Sequence, residues 1–191
     1  LILPFGDLDM SIEATLMTLN ASRFVDLIYE AGLQRYIDKP AHLQRRDQNT
    51  FTFLAPRDDV IDAWYPGHAF PQPSSHSLVQ LSREYRKGPA LEEVVRYHIL
   101  PGQIKPADLA NGMLLNTELF DWKLREGRQK MPVTVDDSSA SDRKGNGDVA
   151  FGDANVLREP VEVKDAAMIY VVSQLLQPPS DPVQTAVSYL S

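Results

Sequence analysis

Apolar positions along this chain keep helical spacing early and around residue 95, and alternate in the middle and last thirds. Ile12, Leu16 and Leu19 lie on one helical face after Asp9 or Ser11, and a second stripe through Phe24, Leu27, Ile28 and Ala31 starts at Ser22. Gly32 followed by Leu33 has the chemistry of a left-handed helix end whose next apolar residue folds back. Phe51, Phe53 and Ala55 then alternate with Thr52 and Leu54, which predicts a central strand covered on both faces and stopped by Pro56. Asp58 or Asp59 is placed to cap a helix carrying Val60, Ile61 and Trp64.

A loop over 65–76 follows, rich in proline and serine, and Ser77 is placed to cap a short helix bearing Leu78, Leu81 and Tyr85. Gly88-Pro89 opens the best-patterned helix. Its Leu91, Val94, Val95 and His98 fall at i, i+3, i+4 and i+7, so His98 is expected on the core face, with Glu92, Glu93 and Arg96 outward. Leu100-Pro101-Gly102 is expected to end it.

From Met113 onward the pattern is that of strands. Phe120, Trp122 and Leu124 alternate with Asp121, Lys123 and Arg125, Met131, Val133 and Val135 alternate next, and Val161 and Val163 alternate with Glu162 and Lys164. Met168 to Val172 is apolar throughout, as in a strand covered on both faces, and Leu175-Leu176 precede a proline pair. Helices first and strands late predict an α+β domain.

Composition narrows the function more than the fold. With 26 acidic and 19 basic residues the formal charge is −7, which disfavours a nucleic-acid partner. Cysteine is absent, removing thiol nucleophiles, thiolate metal sites and disulfides together. No apolar run reaches the roughly 18 residues of a membrane span, and the first residues do not resemble a signal peptide.

Candidate chemistry is sparse. His68 and His76 lack an acidic partner at ligand spacing and read as loop histidines, and Arg83, Arg86 and Lys87, interrupted by Glu84, read as a solvated helix face. Gly145-Asn146-Gly147-Asp148-Val149-Ala150 has the glycine spacing of a dinucleotide fingerprint, without the preceding strand or following helix that would support it. Asp142 to Asp153 imitates a calcium loop, yet Lys144 stands at a ligand position and Asp153 replaces the bidentate glutamate. A charged hairpin loop is the expectation for both. No catalytic, cofactor or metal motif is found, and none of these groups is expected. Asn20-Ala21-Ser22 is an N-glycosylation acceptor in the break between two helical stretches.

Three segments together resemble the fasciclin domain family. Thr52 to Asp59 resembles its first box, Val95 to Gly102 its Tyr-His box, and Met168 to Leu176 its second box, in matching order and spacing. Arg57 departs from the small polar residue usual there, and the segment 65–88 is longer than usual. The resemblance implies a β-wedge or sandwich of about seven strands with a cluster of N-terminal and intervening helices. It implies no enzyme activity. Tyr97 and His98 correspond to the Tyr-His box, which the family links to adhesion; the helical periodicity instead gives His98 a structural role.

The expected organisation is a linker and helix of a preceding module at 1–21, a fasciclin domain at 22–178, and a linker with the start of a following module at 179–191. The two ends support a tandem array, since Leu1 to Asp7 resembles Leu175 to Asp181, and aligning them puts Ile12 on Ala186 and Leu16 on Leu190. The expected function is a non-catalytic adhesion or protein-interaction module, extracellular or at the cell surface, with a surface or matrix protein, a glycan or neighbouring modules as partners. The alternatives are a small-ligand domain for lipid or glycan, or a scaffold in a vacuole-like lumen.

Overall fold

The computed structural model describes residues 10–38, 50–64, 91–120, 127–136 and 148–179. The expectations for His68, His76, Arg83, the Ser77 helix, Trp122, Leu124, the loop glycines Gly145 and Gly147 and the two termini lie outside these residues.

Four helices and eight strands are found among the described residues, the strands forming two four-stranded sheets. The chain opens with α1 (Ile12–Thr18) and α2 (Ser22–Glu30). Ser11 caps α1, its hydroxyl oxygen accepting from the Ala14 amide at 3.1 Å. Gly32 has φ 72° and Leu33 donates its amide to the Ile28 carbonyl at 2.9 Å, which folds Leu33 back into the core as the Gly-Leu pair requires.

β1 (Phe51–Pro56) lies between β2 (Ile99–Pro101) and β8 (Ala167–Val172), with β7 (Val161–Val163) beyond β8. β1 runs parallel to β8, Phe53 opposite Ile169, and antiparallel to β2, Phe53 opposite Ile99. The second sheet is a meander of β3 (Leu114–Phe120), β4 (Arg128–Asp136), β5 (Asp148–Phe151) and β6 (Ala154–Asn155).

The first sheet is the middle of three layers, and this is why its two central strands are apolar on both faces. Alternation sends Phe53, Ala55, Ile169 and Val171 to the helices, where Leu16, Phe24, Leu27 and Ile28 meet them. Leu54, Met168, Tyr170 and Val172 point the other way, onto Met131, Val133 and Phe151 of the second sheet. Each such side chain contributes on the order of 2 kcal/mol by leaving water, and the two cores together fix sheet, helices and meander in one stack.

One expectation about the elements is corrected. The helix α4 (Leu91–Tyr97) ends before Leu100-Pro101-Gly102, and Ile99–Pro101 is the edge strand β2. Three residues are too few to show an alternating pattern, and proline is tolerated because β2 has, among the described residues, no strand on its other side. Of the strand expected from Phe120 onward, Trp122 and Leu124 lie outside the described residues, and Phe120 is the last described residue of β3. The register of β3 is irregular between Asn116 and Phe120, and the buried Thr117 and Glu118 disguised it as a polar stretch. At the dinucleotide look-alike, Asp148–Phe151 is strand β5, antiparallel to β4, where a phosphate-binding turn needs a helix.

Candidate functional site

At the end of α4 the chain turns into β2, so the neighbouring side chains of Tyr97 and His98 enter different layers. Tyr97 joins the core between the sheets, its hydroxyl 3.4 Å from the Lys130 carbonyl oxygen. His98 is 0 % exposed. Its Nε2 accepts from the Leu176 amide at 3.0 Å, and its Nδ1 lies 2.7 Å from the Val94 carbonyl oxygen. An amide only donates, so Nε2 is the unprotonated nitrogen and Nδ1–H donates to Val94. Burial pushes the imidazole pKa down to about 4 against the opposing bond to Val94. Both ring nitrogens are thereby occupied by backbone, and the Phe24 ring packs at 5.9 Å. The imidazole ties the α4 end to the segment after β8.

A second cluster joins residues that the sequence did not single out. The Tyr36 hydroxyl donates to Glu118 Oε2 at 2.9 Å, bridging 82 residues, while Arg128 Nη1 reaches Glu118 Oε1 at 2.8 Å. Arg96, expected outward, is drawn in to donate to the Tyr36 hydroxyl at 3.1 Å and also pairs with Glu92. Burial raises the Tyr36 pKa first, and the neighbouring Glu118 carboxylate raises it further. The Arg128 guanidinium also lies 4.4 Å over the exposed Phe120 ring. A buried glutamate beside Thr117 gives no periodic signal, so sequence reasoning had no purchase on it. Among the described residues no group of His, Cys, Asp and Glu is arranged to hold a metal.

The third arrangement surrounds Asn20, in the turn between α1 and α2. Asn20 has φ 57°, a left-handed conformation that asparagine tolerates better than most residues, and its side chain is exposed. Its carbonyl oxygen accepts from the Asp58 amide at 2.9 Å, and the Asp58 carboxylate accepts in return from the Arg23 amide at 2.7 Å. Asp58, expected at the start of its own helix α3 (Asp58–Trp64), thus turns its carboxylate to the first turn of α2. In α3 the Arg57 carbonyl oxygen accepts from Val60 and Ile61. Replacing Asp58 with alanine is expected to lower stability by about 1 kcal/mol, with asparagine retaining most of it, as read from urea midpoints. Equal midpoints for Asp58→Ala and the parent protein would remove this cap from the account.

Asn20, Arg57, Asp58 and Asp59 line a polar cleft of about 310 Å³. Arg57 grips Asp59 with two nitrogens at 2.9 and 2.6 Å, and these hydrogen bonds hold the Asp59 carboxyl below the usual carboxylate range.

Among curated proteins none matches the sequence. A solved FAS1 domain pair from the insect cell adhesion molecule Fasciclin I is similar, with 16 % identity and a TM-score of 0.43 over 89 % of this chain and 52 % of that one. The chain thus spans about half the length of that pair. The family model of the fasciclin domain matches residues 19–178, and by that match the chain belongs to the fasciclin domain family.

Proposed function

We propose that this chain is a non-catalytic adhesion or protein-interaction module working outside the cell or at its surface, as one repeat of a tandem array. The observation that carries this reading is the fasciclin match over residues 19–178. The interior agrees with it, because the buried polar side chains serve the fold. Thr52 joins Gly102 to Ile104, Thr117 bonds Gln129, and His98 bonds Val94 and Leu176. A lipid carrier needs an apolar cavity, whereas the cleft beside Asn20 is walled by polar and charged side chains.

In this reading the module boundaries are 22–178, with the flanks leading to neighbouring modules, and partners are surface or matrix proteins. Tyr97 and His98 hold the domain together and contribute to binding only through the fold. Surfaces coated with the purified chain are expected to retain cells above an albumin-coated control, and His98→Ala to lose retention only in proportion to its unfolded fraction. No retention above albumin by a chain shown to be folded would overturn the adhesion reading.

A further inference from the structure

We propose that Asn20 is an N-glycosylation site and that the first N-acetylglucosamine of its glycan lies along the cleft formed with Arg57, Asp58 and Asp59. The inference rests on the extracellular part of the reading above, since attachment requires passage through the secretory pathway.

Four observations converge on this turn. The acceptor triplet Asn20-Ala21-Ser22 is intact, and the Asn20 side chain is exposed. Its backbone amide donates to Met17 and its carbonyl oxygen accepts from Asp58, so the backbone is held while, among the described residues, nothing hydrogen-bonds the carboxamide. Ala21 is fully buried and Leu19 nearly so, which anchors the turn on both sides and leaves the Asn20 side chain as the outward element. The cleft beside it, about 310 Å³, has the volume for a sugar ring and a wall of matching chemistry. Arg57 keeps guanidinium hydrogens beyond those it gives Asp59, and the carboxylates of Asp58 and Asp59 keep further lone pairs, in a groove open to solvent. Hydroxyls and the N-acetyl group of the sugar both donate and accept, and they find complementary partners there.

The chemistry is a transfer from a lipid-pyrophosphate-linked oligosaccharide, catalysed by the host's oligosaccharyltransferase. The Asn20 carboxamide nitrogen forms a bond to the anomeric carbon and gives up one proton to a base of that enzyme. The bond between the anomeric carbon and the pyrophosphate oxygen breaks, and the lipid pyrophosphate leaves with its electron pair. Nothing is oxidised or reduced. Transfer precedes folding, and the folded turn then keeps the sugar at the surface, over the starts of α2 and α3.

The test is to secrete the whole chain behind an added signal sequence from a eukaryotic host and to measure intact mass before and after peptide-N-glycosidase. A glycan-sized loss of mass is expected for the parent chain and for Ser22→Thr, and none for Asn20→Gln or Ser22→Ala. Ser22→Ala preserves the left-handed asparagine, so its result does not depend on Asn20→Gln folding well. An unchanged mass in the parent chain overturns the site even if the chain proves adhesive. Sugar on the secreted chain but none on protein from its native source would count against the extracellular reading instead. Hydrogen exchange reads the seating: amides of α3's first turn are expected to exchange several-fold more slowly with the glycan trimmed to one N-acetylglucosamine than in unglycosylated Ser22→Ala. That protection is expected to be lost in Arg57→Ala with the same trimmed glycan, and equal exchange in all three overturns the seating.

Discussion

His98→Ala is expected to destabilise the protein by about 4 kcal/mol, the largest effect of any substitution considered for this chain. The truncation leaves a cavity beneath Phe24 and strips partners from two buried backbone groups, the Val94 carbonyl and the Leu176 amide. Phenylalanine at this position refills the space and still orphans both groups, so it is expected to recover only part of the loss. Urea denaturation of the two variants beside the parent separates cavity from hydrogen bond; a phenylalanine variant as stable as the parent would show that the two bonds contribute nothing.

The same residue gives the protein a pH dependence of known sign. The imidazole pKa is 6.5 as a reference and about 4 in the folded chain, so between these values the unfolded state binds a proton that the folded state refuses. This contribution to stability is full above pH 6.5, is lost as the pH falls, and levels off below about 4. The whole swing is about 3 kcal/mol for a fully buried ring. Unfolding midpoints measured across that window are expected to fall less steeply with acid in His98→Phe. Parallel slopes in parent and variant would mean that another group sets the acid limit.

Glu118→Ala is expected to cost about 2 kcal/mol, because it removes the acceptor of the Tyr36 hydroxyl and the partner of Arg128 at once. The loss is held to this size because the Arg128 side chain is 28 % exposed, and water partly replaces the carboxylate. Glutamine keeps an acceptor for Tyr36 and is expected to lose about half as much. A double-mutant cycle of Glu118 and Arg128 is expected to return a coupling of about 1 kcal/mol, and a coupling of zero would reduce the pair to a coincidence of packing. The function of this cluster in the fold is a clasp. Tyr36 follows α2, Glu118 and Arg128 belong to the meander, and Arg96 lies on α4, so the carboxylate joins both outer layers across one side of the central sheet.

Residues whose environment follows from near neighbours were legible in the chain by itself. The stripe of α2, the Gly32-Leu33 helix end, and the apolar strands β1 and β8 all follow from spacing, because a helix or strand exposes its faces at a fixed period. The inward face of α4 was legible for the same reason, with Val94 and Val95 buried on it and His98 buried directly after its last residue. The exposed turn at Asn20 could be read from the break between two stripes. Tertiary structure alone decided the rest. Whether a polar side chain is outward or paired inside depends on what the stacked layers bring opposite it, and no local period records that. Glu118 is buried because Arg128 and Tyr36 arrive from β4 and from the turn after α2. Asp58 serves α2 because the Asn20 carbonyl holds its amide. Ile99–Pro101 becomes a strand because β1 offers it a free edge. Each is a pairing between separate elements of the fold, which the stacking of the layers brings together.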